Sequence, residues 1–165
     1  MKASPDDVSR PVRSRWLLIP PPPLYVLALI LGASLGRAFP LPLVPHGLRY
    51  PAQIVGMAFV VAAGVLMVSA PLLFLNHRTT LVPFGNARSM VLRGPYRISR
   101  NPMYLGLTVA YLGVTLLIAS VWPLLVLAFP LWVIGTKTIP FEEEAMTRLF
   151  GDEYRAYQRR VRRWI

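Results

Sequence analysis

Cysteine is absent from the 165 residues. That excludes disulfides, thiolate metal sites and a cysteine nucleophile. His46 and His77 are the two histidines, too few for a histidine-rich metal site. Neither G-x-G-x-x-G nor G-x-x-x-x-G-K-[ST] occurs, so the usual dinucleotide fingerprint and the phosphate loop are both missing. Charge is scarce as well: 15% of residues carry it, against about 25% in a soluble domain. Carboxylates are the scarcest useful groups. The seven are Asp6, Asp7, Glu142, Glu143, Glu144, Asp152 and Glu153, and none falls between Val8 and Phe141. The polar Met1–Arg15 segment has no A-x-A-like cleavage site, so no removable signal peptide is expected.

What is present is apolar. Hydrophobic residues make up 55% of the chain, and the mean hydropathy is +0.49. Three uncharged runs stand out: Trp16 to Gly36 (21 residues), Tyr50 to Asn76 (27) and Asn101 to Thr136 (36). Runs beyond about 18 residues indicate membrane spans. The longest would make a helix of about 54 Å, against a hydrocarbon core of about 30 Å. It is therefore expected to break near Ser120-Val121-Trp122-Pro123 into two short spans. The fold class expected is all-α: an integral membrane bundle of about four helices (21–38, 52–75, 102–119 and 122–139). The third and fourth form a tight hairpin, and a C-terminal amphipathic cytoplasmic helix follows. Residues 1–15 form a cytoplasmic segment, and 16–165 a single domain with a tail at 140–165. Gly32 and Gly36 form a G-x-x-x-G pair that permits close helix contact within the chain or with a second copy. Pro71 is expected to kink the second span.

The formal net charge is +11. On a soluble protein this would point to nucleic acid. Here no basic helix stands clear of the apolar runs, so no nucleic-acid partner is expected. Sixteen of the eighteen Lys and Arg residues fall in the N-terminal segment, the Asn76–Arg100 loop and the tail; Arg37 and Arg49 are the other two. The positive-inside rule then puts both termini and the middle loop on the cytoplasmic side, with anionic membrane lipids as partners.

Chemistry that needs a carboxylate must draw on the tail. Glu142-Glu143-Glu144 follows Pro140, and its simplest reading is a solvated acidic first turn. Further on, Phe150, Tyr154, Tyr157, Val161 and Trp164 recur at spacings of 4, 3, 4 and 3, one apolar helical stripe with arginines between. That pattern suits a helix resting on anionic lipid or a lid over a pocket. Gly151-Asp152 can end one helix and cap the next. In the middle loop, Gly94-Pro95 signals a turn, and Asn101-Pro102 reads as N-cap then first turn. Together, Glu142 and Glu143 can hold a cationic group, while Arg97, Arg100 and the helix N-terminus can hold a carboxylate. A zwitterionic amino-acid moiety matches that set, and spacing alone does not name it.

The stretch Gly94-Pro95-Tyr96-Arg97-Ile98-Ser99-Arg100-Asn101-Pro102-Met103-Tyr104-Leu105-Gly106 resembles the GPYRxxRHPxYxG signature of the isoprenylcysteine carboxyl methyltransferase and phospholipid methyltransferase superfamily. Glu142-Glu143, Phe150-Gly151, Tyr154, Tyr157, Val161 and Arg162 resemble its EE…FGxxYxxYxxxVxR tail. The resemblance spans about residues 50 to 165. It implies a membrane methyltransferase using S-adenosylmethionine in a cytoplasm-facing pocket capped by the tail, acting on a lipophilic small molecule or lipid in a membrane of bacterial inner-membrane type. Tyr96, Arg100, Asn101, Pro102, Tyr104, Gly106, Glu142 and Glu143 are the implied cofactor-binding residues; Glu143 and Arg162 are the implied catalytic pair. Arg162 or Arg163 would orient an anionic acceptor. The superfamily often has His where Asn101 stands. Asn cannot act as a base near neutral pH, which argues against a mechanism needing one there. A non-catalytic membrane scaffold or regulatory protein keeping the same pocket is the alternative, and a small transporter component fits worst. No metal is expected; acceptor and oligomeric state stay open.

Overall fold

The computed structural model describes residues 20–76 and 94–165, with backbone only for residues 70–76. The expectations placed on residues 1–19 and on 77–93, among them His77, Arg78, Arg88 and Arg93, lie outside the described residues. Among the described residues, seven α-helices follow in order: α1 Pro21–Ala38, α2 Arg49–Asn76, α3 Pro102–Ile118, α4 Val121–Val126, α5 Ala128–Val133, α6 Ile139–Phe150 and α7 Asp152–Arg160. Among the described residues, no sheet forms; Pro42 and Ser120 make one isolated antiparallel bridge.

Proline sets the starts. Pro21 opens α1 and Pro102 opens α3, positions where the missing N–H costs nothing. At α3 the residue ahead is Asn101, as expected, but its side chain makes no capping bond. The amide instead donates to the Arg163 carbonyl at 3.1 Å.

The third uncharged run turns at Ala119, which adopts a left-handed φ of 56°, and the chain reverses into α4. From Val121 to Phe150 it stays helical for 30 residues, a rod of about 45 Å. A boundary at 139 was expected, with Pro140 starting a separate tail helix. Pro140 does sit at the first turn of α6, but the π-helical turn Ile134–Thr138 just before it absorbs the lost donor. There the Ile139 N–H reaches five residues back to the Ile134 carbonyl. The rod therefore carries Glu142 and Glu143 on its own far end.

His46–Ser69 and Val121–Phe150 are long and apolar enough to cross a membrane by length and composition, and α3 is a shorter apolar helix of 17 residues. The surface supports that reading. Val26, Leu27, Ile30 and Leu31 of α1, Ile54, Val61, Val65 and Val68 of α2, and Leu125, Phe129 and Trp132 of the rod are all exposed. The interior holds hydroxyls: Tyr25 and Thr108 share a hydrogen bond of 2.7 Å, and Tyr111 donates to the Pro123 carbonyl at 2.8 Å. Apolar outside with satisfied polar groups inside is what a lipid solvent selects.

Close helix contacts rest on glycine. α2 and α3 form the most extensive contact in the molecule. Where they cross, a Cβ on Gly56 would stand 2.7 Å from the Gly113 carbonyl oxygen, and a Cβ on Gly113 equally close to that of Gly56. The Gly32/Gly36 pair faces the chain's own α4: a Cβ on Gly32 would lie 2.5 Å from Pro123 Cα, and one on Gly36 2.6 Å from Ser120 Oγ. That stripe is an intrachain contact.

Candidate active site

The site forms where the N-terminus of α3 meets the far end of the rod and the chain terminus. α3 brings Tyr104, and the turn before it brings Ser99, Arg100 and Asn101. α6 brings Glu142 and Glu143 on consecutive positions, so they point about 100° apart. Glu142 accepts a hydrogen bond from the Tyr104 hydroxyl at 2.5 Å. Glu143, with a side chain 10% exposed, is held by two guanidinium groups. Arg100 Nη1 lies 3.1 Å from Oε1. Arg163 reaches Oε2 through Nη2 at 2.7 Å and through Nε at 3.1 Å. Such forked pairing fixes direction as well as charge.

The tail departs from a single amphipathic helix. α7 stops at Arg160, and Val161 is extended (φ −122°, ψ 133°). The apolar stripe therefore holds through Tyr154 and Tyr157, both buried, and fails at Val161 and Trp164. The turn before α3 takes the backbone there instead. Arg100 donates its N–H to the Arg162 carbonyl at 2.9 Å, and Ser99 Oγ donates to the Arg163 carbonyl at 3.0 Å. In a helix run on to Ile165 those carbonyls would have no intrahelical donor. Trp164 then packs onto the buried cluster of Tyr25, Ala28, Tyr111, Leu127, Ile134 and Ile139. α7 is pinned separately by Tyr157, which donates to the Tyr96 carbonyl at 2.7 Å.

The implied residues fall into two groups. Tyr96, Arg100, Asn101, Tyr104, Glu142 and Glu143 come together at this end. Pro102 is fully buried at the start of α3, and Gly106 faces α2, where a Cβ would meet Met67 Cγ at 2.7 Å. Arg162 presents its carbonyl to the site, while its side chain belongs to an exposed residue. Arg163 is the guanidinium on Glu143. Sequence reasoning left Ser99 without a role. It is 1% exposed, donates to the tail and accepts the Asn101 N–H at 3.0 Å. A serine between two arginines of a turn gives no signal of its own.

Burial dominates the electrostatics. It pushes the Glu142 carboxyl above its ordinary range, with neighbouring Glu143 adding to the rise and the Tyr104 hydroxyl opposing it. Glu142 lies past the apolar part of the rod. Burial also raises the Tyr96 and Tyr154 phenols to about 12 each, helped by Glu142 and by Glu143 respectively. Both are neutral donors at physiological pH. The Glu143 hydrogen bonds raise Arg163 further, so this guanidinium is permanently charged. One atom is left over: Arg100 Nε is buried without a partner. Two carboxylates, two guanidiniums and a spare buried donor at one end of the bundle suit a ligand carrying both charges.

No curated protein and no solved structure matches the chain. The family model described as phospholipid methyltransferase matches residues 51–153, from the start of α2 into the first turn of α7. That stretch covers well over half the chain and includes Tyr96, Arg100, Asn101, Tyr104, Glu142 and Glu143, but not Arg163. Such coverage places the chain in the phospholipid methyltransferase family.

Proposed function

We propose that the protein transfers a methyl group from S-adenosylmethionine to a lipid or lipophilic small molecule at the cytoplasmic face of a membrane. One observation carries the reading: in a chain of a methyltransferase family, the paired carboxylates of α6 meet Arg100 from the turn before α3 and Tyr104 of α3. The residues fit the cofactor's amino-acid end. Glu142 and Glu143 have the charge to hold an ammonium, Arg100 and Arg163 the charge to hold a carboxylate, and Arg100 Nε has a hydrogen bond to give. Bound there, S-adenosylmethionine supplies an already activated methyl group.

What remains for the protein is proximity, alignment and exclusion of water. The tail supplies the last through Trp164. The proton demand depends on the acceptor. A carboxylate or phosphate oxygen needs no base. An amine must lose a proton, and Glu142 is the group assigned to take it. Burial raises its carboxyl above the ordinary range, against the opposing hydrogen bond from Tyr104. Glu143, between two guanidiniums, is the positioning group.

The reading takes all four long apolar segments as spans, α1 and α3 included, with both termini cytoplasmic. The arginine distribution supports that orientation. The test is calorimetric titration of the cofactor into protein in lipid nanodiscs, beside Glu143→Ala. Wild type should bind and the variant should lose affinity at least tenfold, about 1.4 kcal/mol. Absence of binding by folded wild type overturns the proposal.

A further inference from the structure

The far end of the bundle, away from Glu143, contains a second cluster that methyl transfer does not use. Ala119, at the end of α3, gives its carbonyl to the Leu43 N–H at 2.9 Å, and Val121 donates its N–H to the Leu41 carbonyl at 3.0 Å. Trp122 Nε1 donates to the Phe39 carbonyl at 2.7 Å. These bonds lock the α1–α2 connection onto the α3–α4 turn. Between them lies a cavity of about 430 Å³.

Arg37, His46 and Arg49 line that cavity. No ion pair among the described residues involves them, and no carboxylate exists in the chain between Val8 and Phe141. Arg37 and Arg49 are also the two arginines that the charge distribution leaves off the basic side. Arginine on that side runs against the bias of membrane proteins, yet both occur, from different helices, at one cavity. The other walls are apolar, with Ala33, Leu41 and Ile118 among them, apart from Ser120, whose buried hydroxyl has no partner. Two guanidinium forks over an apolar floor suit an oxyanion attached to a hydrocarbon chain. The volume exceeds what a free oxyanion needs and falls in the range of small-molecule sites.

We infer that this cavity binds a phosphate group through Arg37 and Arg49, at a site separate from the one around Glu143. The apolar walls favour an anionic phospholipid as its source over free phosphate. The inference does not depend on methyl transfer, and its readout is binding.

The experiment is native mass spectrometry of delipidated full-length protein, offered dioleoyl phosphatidylglycerol, dioleoyl phosphatidylcholine or inorganic phosphate. Wild type should retain phosphatidylglycerol over phosphatidylcholine, and Arg37→Gln/Arg49→Gln should retain about tenfold less. Arg37→Lys/Arg49→Lys should stay within about threefold of wild type, showing that charge rather than folding is at stake. Arg159→Gln/Arg160→Gln, on exposed residues of α7, should leave retention unchanged. Phosphate adducts lost in the Gln variant, without lipid preference, would keep the site and change its source to the free anion. Equal retention by wild type and the Arg37→Gln/Arg49→Gln variant, or loss confined to the α7 variant, overturns the inference.

Discussion

At the scale of single residues, Glu142 and Glu143 are adjacent in sequence and opposite in character. Glu143 is neutralised by Arg100 and Arg163, whereas Glu142 is buried beside a phenol. The difference has a pH signature. A carboxyl whose folded value is raised binds protons more tightly in the folded state. Its effect on stability is therefore nil below the ordinary value of 4.5 and becomes a loss as pH rises above it. Glu142→Gln removes that loss while keeping an acceptor for Tyr104. Its melting temperature should exceed that of wild type at pH 7, and the gap should close as pH falls to about 4.5. A gap independent of pH would show that the carboxyl does not titrate with folding. Arg162 and Arg163 illustrate what sequence could tell about the site. The resemblance is read onto Arg162, while V-x-R counted from Val161 falls on Arg163. Which one reaches Glu143 depends on the register of an extended segment, and register is set by hydrogen bonds to Ser99 and Arg100 some sixty residues away.

At the scale of elements, what proline and length control was legible in the sequence. Pro21 and Asn101-Pro102 mark the starts of α1 and α3, and a 36-residue run too long for one crossing had to turn, which it does at Ala119. Two features were not legible. Pro140 reads as a helix start, because the π turn that carries the rod through it has no sequence signature. The spacing of 4, 3, 4 and 3 through Trp164 reads as helix, because periodicity does not register hydrogen bonds to a turn some sixty residues away. The glycine stripe of α1 is open to a direct test. Gly32→Ile places side-chain carbon against the backbone of Pro123. It should destabilise the protein by about 1–3 kcal/mol, seen as a lower melting temperature in detergent. An unchanged melting temperature would mean that α1 does not pack on α4 as described.

At the scale of the whole molecule, acidic groups among the described residues are confined to α6 and α7, and the charged residues at the other end's cavity are arginines. With no cysteine in the chain, topology can be mapped without a prior removal step. Single cysteines at Leu48 and Arg155, both exposed, should be labelled by an impermeant maleimide from opposite sides of sealed membrane vesicles. Labelling of both from one side would break the proposed orientation. The glycine contacts also bear on traffic. Where the carbonyls of Gly56 and Gly113 face each other, and where Gly32 meets Pro123, backbone lies on backbone, with no side chains between to swing aside. Those two seams are closed doors. The acyl chain of the proposed acceptor has to enter the bundle by another face.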